Sequence, residues 1–370
     1  MKIVFIAPVV GYHGASKMFA WVANQMSRAG FDVEIISFFS NTIGIPIDKK
    51  IKFHYLGIKQ SKNRIVRNTF GMVKTLKKLD VSIKKIRPDV MVSFLDSVGY
   101  MYLPIARKRC KVVISERIDP HAYKGFISKM RFYLMKFADL TVFQTEGARE
   151  FFKGKYDIYK KSVVIPNPVV LTDEVKALRD KIPTFEERDN RIVTVGRLSL
   201  HQKRQDVLLK AFNIVHKKYP ELQLVIYGDG EDKEKIQQMI TKLKLNDCVT
   251  LAGKVLGVEK EISNAKAFVL TSDYEGIPNA LIEALSVGVP CVSTDCSPGG
   301  AKLLINNGEN GFLVSRGNSK QVAEKLRNII ENKELSENFS QRGMKIAEEF
   351  DENKIVNMWE KNFGILGGKK

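Results

Sequence analysis

Short apolar runs that alternate with longer amphipathic stretches constrain this chain more than any other feature. KIVFIAPV (2–9) leads into the helical pattern MFAWVANQMSRAG (18–30) and then into FDVEIISF (31–38), an opening strand–helix–strand unit. DVMVSFL (89–95), KVVISER (111–117), DLTVFQT (139–145) and SVVIPN (162–167) supply further strands. RIVTVG (191–196), LQLVIYG (222–228), VTLAG (249–253), AFVLTS (267–272) and PCVST (290–294) repeat the theme. Apolar strands alternating with helices imply parallel sheets covered on both faces. A chain of 370 residues is too long for one ordinary core, so two domains are expected. The expected division is a first domain at 1–170, a linker at 171–190, a second domain at 191–350 and a final amphipathic helix in 351–370.

Residues 272–300, SDYEGIPNALIEALSVGVPCVSTDCSPGG, carry the densest chemical signal. Glu275 and Glu283 bracket a loop-to-helix turn with seven residues between them. Gly276 lets the backbone pass close to a ligand, and Pro278 fixes φ where a helix would begin and needs no N–H. From Asn279 the run ALIEALSVG reads as a short amphipathic helix ended by Gly288. Its free N–H groups and positive dipole end suit a phosphate. Glu275 then lies at the mouth, and Glu283, a turn inside, can offer paired acceptors to a ribose diol. Taken alone, the pattern also describes a surface loop with two solvated glutamates. The neighbouring segments decide between these readings.

EGIPNALIEAL (275–285) resembles the signature of the retaining glycosyltransferases of family 4, which have the GT-B fold. In that family the first Glu contacts the donor sugar and the second holds the nucleotide ribose. The resemblance therefore implies those roles for Glu275 and Glu283, with Gly276, Ile277, Pro278 and Asn279 as the substrate-binding turn between them. VTVGRLSLHQKRQDVLLKAF (193–212) resembles the family's strand–loop–helix carrying an Arg and a Lys for the diphosphate, here Arg197 and Lys203. LQLVIYGDGEDKEKIQQMI (222–240) resembles its next strand–turn–helix. VTLAGKV (249–255) resembles the segment whose backbone reads the base, which implies contacts at Lys254 and Val255. The likeness is dense from about 190 to 316 and looser, but continuous, over the N-terminal half. It implies an α/β, GT-B architecture: two Rossmann-like doubly wound domains facing across a cleft. The helix DENKIVNMWEKNFGIL (351–366) is expected to cross back to the first domain.

The chemistry of such a site follows from charge. A nucleotide-diphosphate sugar gathers negative charge on its leaving phosphates as the glycosidic bond breaks, and preorganised cations and helix N-termini stabilise it there. Arg197 and Lys203 follow a strand end at Gly196 and precede a helix, which suits that role. No Asp-x-Asp carboxylate pair stands in a metal loop apart from DYE (273–275), which overlaps the signature itself, so neither a catalytic metal nor a cofactor is expected.

In the first half, VVGYHGASKMFA (9–20) departs from the family's glycine-rich turn: Gly14 matches the second glycine, while the first is displaced to Gly11. Gly14 is thus the expected point of close backbone approach to substrate, and His13 is either a contact or an exposed loop residue. ISERIDPHAY (114–123) departs further. Family members often carry a His soon after this strand, near the reacting face of the sugar. Here Glu116 and Arg117 occupy the strand end, and His121 is the imidazole nearby. Arg117 replaces that His as an electrostatic partner lining the cleft with Glu116, or His121 reaches in from the loop. Front-face retention needs no protein nucleophile, because the donor phosphate can take the acceptor proton.

The net charge of +19 is unevenly placed. Residues 1–170 hold 30 Lys and Arg against 12 Asp and Glu, and the remainder holds 30 against 29. The excess peaks over 49–87, where 13 basic residues meet only Asp80. Ile65, Val66, Phe70, Met72, Val73, Leu76 and Leu79 recur there at helical spacing among lysines and arginines. Such a helix reads either as a membrane-surface element or as a helix packed on its own domain. Nucleic acid is not an expected partner, since aromatics are not interleaved as stacking platforms. Four scattered cysteines lack the partners for a zinc site and read as reduced thiols. The first residues form a strand-like run rather than a secretory signal, and no run of 18 apolar residues occurs.

SFLDSVGY (93–100) and the SER segment (115–117) resemble bacterial family members that build lipid-linked or capsular glycans. The expected activity is therefore transfer of a hexose or N-acetylhexosamine, UDP-linked in preference to GDP-mannose, onto a membrane-borne lipid-linked saccharide. The expected location is cytoplasmic, on the inner face of the plasma membrane, held by the anionic surface through the basic N-terminal half. The alternatives are a soluble acceptor or, in another class, a non-catalytic nucleotide- or glycan-binding protein.

Overall fold

The computed structural model describes residues 1–10, 14–59, 71–94, 97–122 and 125–368. The chain forms two compact units, Met1–Asn167 together with Asn353–Lys370, and Pro168–Glu352.

The first unit is built on strands β1 (Lys2–Ala7), β2 (Asp32–Ser37), β3 (Lys52–Tyr55), β4 (Val90–Phe94), β5 (Lys111–Ser115), β6 (Leu140–Phe143) and β7 (Ser162–Val164). They form one parallel sheet in the order β3-β2-β1-β4-β5-β6-β7. Side chains of a strand alternate between faces, which sorts β1 cleanly. Ile3 and Phe5 enter one core with Trp359 and Phe363, while Val4 and Ile6 enter the other with Tyr102 and Leu103. Both faces are covered, so the central strands are mostly apolar rather than alternating. The edge strand β3, KFHY, is half-exposed and lacks that signature, and its sequence did not announce it.

The helix Glu352–Leu366 completes this unit. Ile355, Trp359 and Phe363 recur every four residues and are all buried, giving one apolar stripe. Trp359 stacks on Phe94 with centroids 6.3 Å apart, and on Phe363 at 5.6 Å. The C-terminal helix therefore returns to the core of the first unit. The helix Met72–Ile86 also packs inward, burying Thr75, Leu79 and Ile83 on the strand layer while Lys74, Lys77 and Lys78 stay exposed. Lys78 donates to the Leu56 carbonyl at 2.7 Å. Of the basic apolar pattern over 49–87, the described part thus packs on its own domain; Ile65, Val66 and Phe70 lie outside the described residues.

The second unit carries β8 (Asp189–Val195), β9 (Gln223–Tyr227), β10 (Val249–Gly253), β11 (Ala265–Leu270), β12 (Cys291–Thr294) and β13 (Phe312–Val314), parallel in the order β10-β9-β8-β11-β12-β13. Strand order reverses between β8 and β11. In doubly wound sheets, ligands bind beyond the carboxyl ends of the strands at such a reversal. Residues 171–190 belong to this unit. Thr172 caps the helix Asp173–Arg179 by accepting from the Val175 N–H at 3.2 Å, and Val175 joins the core. Arg188 is buried and donates to the carbonyls of Ser263, Ala265 and Gly288 and to Ser340 Oγ.

All four cysteines are free thiols, and Cys110 is half-buried where the other three are buried. Among the described residues no helix is long and apolar enough to cross a membrane.

Candidate functional site

The loops leaving β8 and β11 are stitched together at the reversal point of the second sheet. Thr271 Oγ1 donates to the carbonyls of Lys203 at 2.9 Å and Arg204 at 3.1 Å. The Asp273 N–H donates to the Gln202 carbonyl at 2.9 Å, and Gln202 Nε2 donates to the Tyr274 carbonyl at 3.2 Å. From the β12 side, the Glu275 N–H donates to the Ser297 carbonyl at 2.9 Å. Three strand ends therefore fix the 271–275 segment.

Glu275 sits at the centre of this arrangement, 9% exposed. Its Oε1 receives Lys203 Nζ at 2.5 Å and Ser272 Oγ at 2.7 Å, and its Oε2 receives Gln202 Nε2 at 3.4 Å. Arg197 is exposed beside them and donates to Gln202 Oε1 at 2.8 Å. Arg204 binds Asp206 through Nε and Asp273 Oδ2 through Nη1 at 2.8 Å. These bonds raise its guanidinium further above an already high value. The result is two neighbouring ion pairs, Lys203–Glu275 and Arg204–Asp273, with the exposed Arg197 joined to the first through Gln202.

Glycine makes the approach of these loops possible at two places. A Cβ on Gly228, where φ is +130°, would fall 1.9 Å from the Gly196 carbonyl oxygen. One on Gly300 would fall 1.8 Å from the Gly276 carbonyl oxygen. The backbone after β8 and the turn at Gly276 are thus each pressed against a residue that only glycine can supply.

The turn itself follows the sequence closely. The helix Asn279–Ser286 begins one residue later than a first-turn proline would place it, with Pro278 as the extended cap whose carbonyl accepts from Leu281 and Ile282. Gly288 ends it at φ +69°. Ile277 is buried in the core of the unit, Asn279 is half-buried at the helix start, and Glu283 is half-buried in the following turn. Lys254 and Val255 lie exposed in the loop after β10.

The first unit treats its expected site residues differently. Gly14 opens the helix Gly14–Arg28 beyond β1, while Gly11 and His13 lie outside the described residues. Glu116 is 1% exposed and accepts from Arg131 Nη2 at 2.5 Å and the Tyr100 hydroxyl at 3.1 Å. Arg117 is 8% exposed. Its Nε donates to Ser115 Oγ at 2.8 Å, its Nη1 to Asn167 Oδ1 at 2.6 Å, and its guanidinium lies 4.8 Å from the Phe94 ring centroid. Burial pushes it down to about 9 against the opposing pull of Glu116. The charges at this strand end are committed to internal partners. His121 is the exposed group of the segment. Its Nδ1 lies 2.8 Å from Oδ1 of Asp119, a buried carboxylate that also caps the His121 N–H. Its ring stands edge-on to Phe151 at 4.7 Å.

Sequence reasoning passed over Arg204, Asp273, Ser272 and Asp119. The first three flank singled-out residues, and the signal available was the polar run Thr271-Ser272-Asp273 directly after an apolar strand. Asp119 stands two residues before His121, a spacing at which a carboxylate can fix an imidazole tautomer.

Comparison with known proteins places these loops in a family context. Residues 175–346 match the family of glycosyl transferases group 1. An uncharacterized glycosyltransferase of Methanocaldococcus jannaschii is 28% identical over 92% of this chain and 94% of its own length. A Campylobacter jejuni relative is 27% identical over 98% of each; it is named as the alpha-1,4-N-acetyl-D-galactosaminyltransferase acting on GalNAc-alpha-(1->4)-GalNAc-alpha-(1->3)-diNAcBac-PP-undecaprenol. Among solved structures, a variant of TarM from S. aureus in complex with UDP aligns with TM-score 0.78 at 16% identity, covering 97% of this chain and 99% of that one. The two parallel-sheet units have the GT-B fold of such structures, and the match to glycosyl transferases group 1 lies within the second of them.

Proposed function

We propose that this chain is a retaining glycosyltransferase that moves a hexosyl or N-acetylhexosaminyl group from a UDP-linked donor onto a lipid-linked saccharide at a membrane. The carrying observation is the Lys203–Glu275 pair, with Arg197 beside it, at the strand-order reversal of the second sheet. The TarM complex with UDP supports the donor class, and the undecaprenol-linked substrate of the Campylobacter jejuni relative supports the acceptor class.

In this reading Arg197 and Lys203 meet the diphosphate. Lys203 has three N–H donors, so it can hold Glu275 and still bind phosphate. Glu275 faces the donor sugar and Glu283 the ribose, while the turn from Gly276 to Asn279 lines the phosphates. Lys254 and Val255 frame the base. The acceptor hydroxyl attacks the anomeric carbon from the face the leaving group departs. As that C–O bond forms, the bond to the phosphate oxygen breaks, UDP leaves with the electron pair, and a phosphate oxygen takes the acceptor proton. Charge growing on UDP is met by fixed cations, which stabilise the transition state more than the ground state and need no metal ion. In the first unit Gly14 and His121 are assigned to substrate contact. Arg117 and Glu116 act as positioning residues through Asn167 and Arg131.

Incubation with a panel of UDP- and GDP-sugars, without acceptor, tests this reading. Slow release of UDP from a UDP-hexose or UDP-N-acetylhexosamine, lost in Lys203→Met, is expected. Failure of the chain to bind or hydrolyse any donor overturns it.

A further inference from the structure

The helix Phe126–Met135 in the first unit turns an apolar face to solvent. Phe126 is 80% exposed, Met130 37% and Tyr133 45%, and their spacing places them along one side of the helix. Phe132 and Met135 on the other side enter the core. Tyr156, 48% exposed, continues the surface by standing edge-on to Tyr133 at 5.7 Å.

The surface is also basic. Lys129 is exposed on the same helix, and Lys136 lays its ammonium 3.6 Å from the Tyr133 ring centroid. Lys155 sits 3.4 Å over the Phe151 ring. Among the described residues none of these three is in an ion pair, whereas Lys153 and Lys160 nearby are paired with Glu150 and Asp157. Single exposed apolar residues are common, but Phe, Met and two Tyr side by side with unpaired lysines form a contiguous patch. Aromatic rings with one polar end favour the water–lipid boundary, and lysine stems can lie along them while their ammonium groups reach headgroup phosphates. The helix Met72–Ile86 differs, because its apolar stripe is already covered by the core.

We propose that the Phe126–Met130–Tyr133 face, with Tyr156 and Lys129, Lys136 and Lys155, docks the first unit on an anionic lipid bilayer. The inference deepens the membrane-borne acceptor reading by naming the contact surface. It is tested with bare vesicles, so its failure is separate from a failure of donor chemistry.

The full chain is co-sedimented with vesicles of phosphatidylglycerol and phosphatidylcholine in equal parts, and with phosphatidylcholine alone. Expected is binding to the anionic vesicles that weakens with salt. Phe126→Ser with Tyr133→Ser should lower the partition coefficient about tenfold, the scale expected for removing two aromatic insertions. Lys129→Gln with Lys136→Gln should lower it as well and flatten the salt dependence, with the same circular dichroism as the parent chain. Replacing Lys74, Lys77 and Lys78 by Gln should cost less than the aromatic pair. The proposal is overturned by an absence of binding to anionic vesicles or by unchanged binding of the aromatic variant. It is equally overturned if that variant instead abolishes self-association on gel filtration, which would make the face a contact between copies of this chain.

Discussion

The Lys203 ammonium lies 2.5 Å from Glu275 Oε1, joining the loop after β8 to the loop after β11. Both side chains are mostly buried, at 17% and 10% exposure. Such a pair is stable when its remaining hydrogen-bonding capacity is met, and Ser272 and Gln202 meet it on the Glu275 side. Lys203 retains donors for an anion. The pair therefore holds the carboxylate and the ammonium in fixed register before any ligand arrives, which is what electrostatic preorganisation requires.

Glu283→Ala is expected to weaken UDP binding by about 1–3 kcal/mol, the usual cost of deleting a charged hydrogen-bonding partner. Glu275→Ala should suppress turnover while leaving UDP affinity nearly unchanged, since its proposed partner is the sugar. Calorimetry with UDP on both variants checks the assignment. Equal loss of UDP affinity in the two would mean that the roles are wrongly divided.

Removal of Arg197 or Lys203 should lower kcat more than it raises KM, because the charge they meet grows along the reaction. Arg197→Lys should not restore full activity, as a point charge cannot reproduce the planar fork. Steady-state kinetics measured with and without EDTA should agree. A strict dependence on a divalent ion would contradict the metal-free mechanism.

Gly228→Ala should both destabilise the second unit and misplace the Gly196–Arg197 backbone. The added Cβ meets the Gly196 carbonyl oxygen at 1.9 Å, and φ is +130°, so the cost is about 2–4 kcal/mol from strain and overpacking together. A lowered Tm with weakened UDP binding is expected; an unchanged Tm would show that the two loops can part freely.

Acid should loosen the first unit through Asp80. Burial alone would raise this carboxyl, but hydrogen bonds from Arg109, Lys84 and Tyr102 outweigh it and hold it at about 2. Because the folded value lies below the unfolded one of about 3.9, the stabilisation is complete above that pH and is lost as pH falls toward 2. Asp80→Asn should cost on the order of 1–2 kcal/mol at neutral pH and remove that part of the acid sensitivity, as read by urea unfolding across pH.

Much of the architecture was legible because covered parallel strands must be largely apolar on both faces, as β1 and β4 are. The edge strand β3 and the short β13 escaped, since half-exposed or three-residue strands carry no such pattern. Glu275, Lys203 and the Gly276 turn were singled out by the resemblance of their segments to family motifs, and the fold brings those segments together at the strand-order reversal of the second sheet. The partners of Glu116 and Arg117 were not, because Arg131 and Asn167 are distant in sequence and only the fold brings them close. The pattern of the helix Met72–Ile86 fits a membrane surface and a core equally, and burial of Leu79 and Ile83 could be learned only from packing.

The most direct measurement is the anomeric configuration of the first sugar released from an α-linked UDP-sugar, followed by proton NMR before mutarotation. The α-anomer should appear first with the parent chain, and neither anomer should accumulate with Lys203→Met. A β-anomer formed first would contradict retention, and release by Lys203→Met at the parent rate would remove the Lys203–Glu275 pair from the reaction.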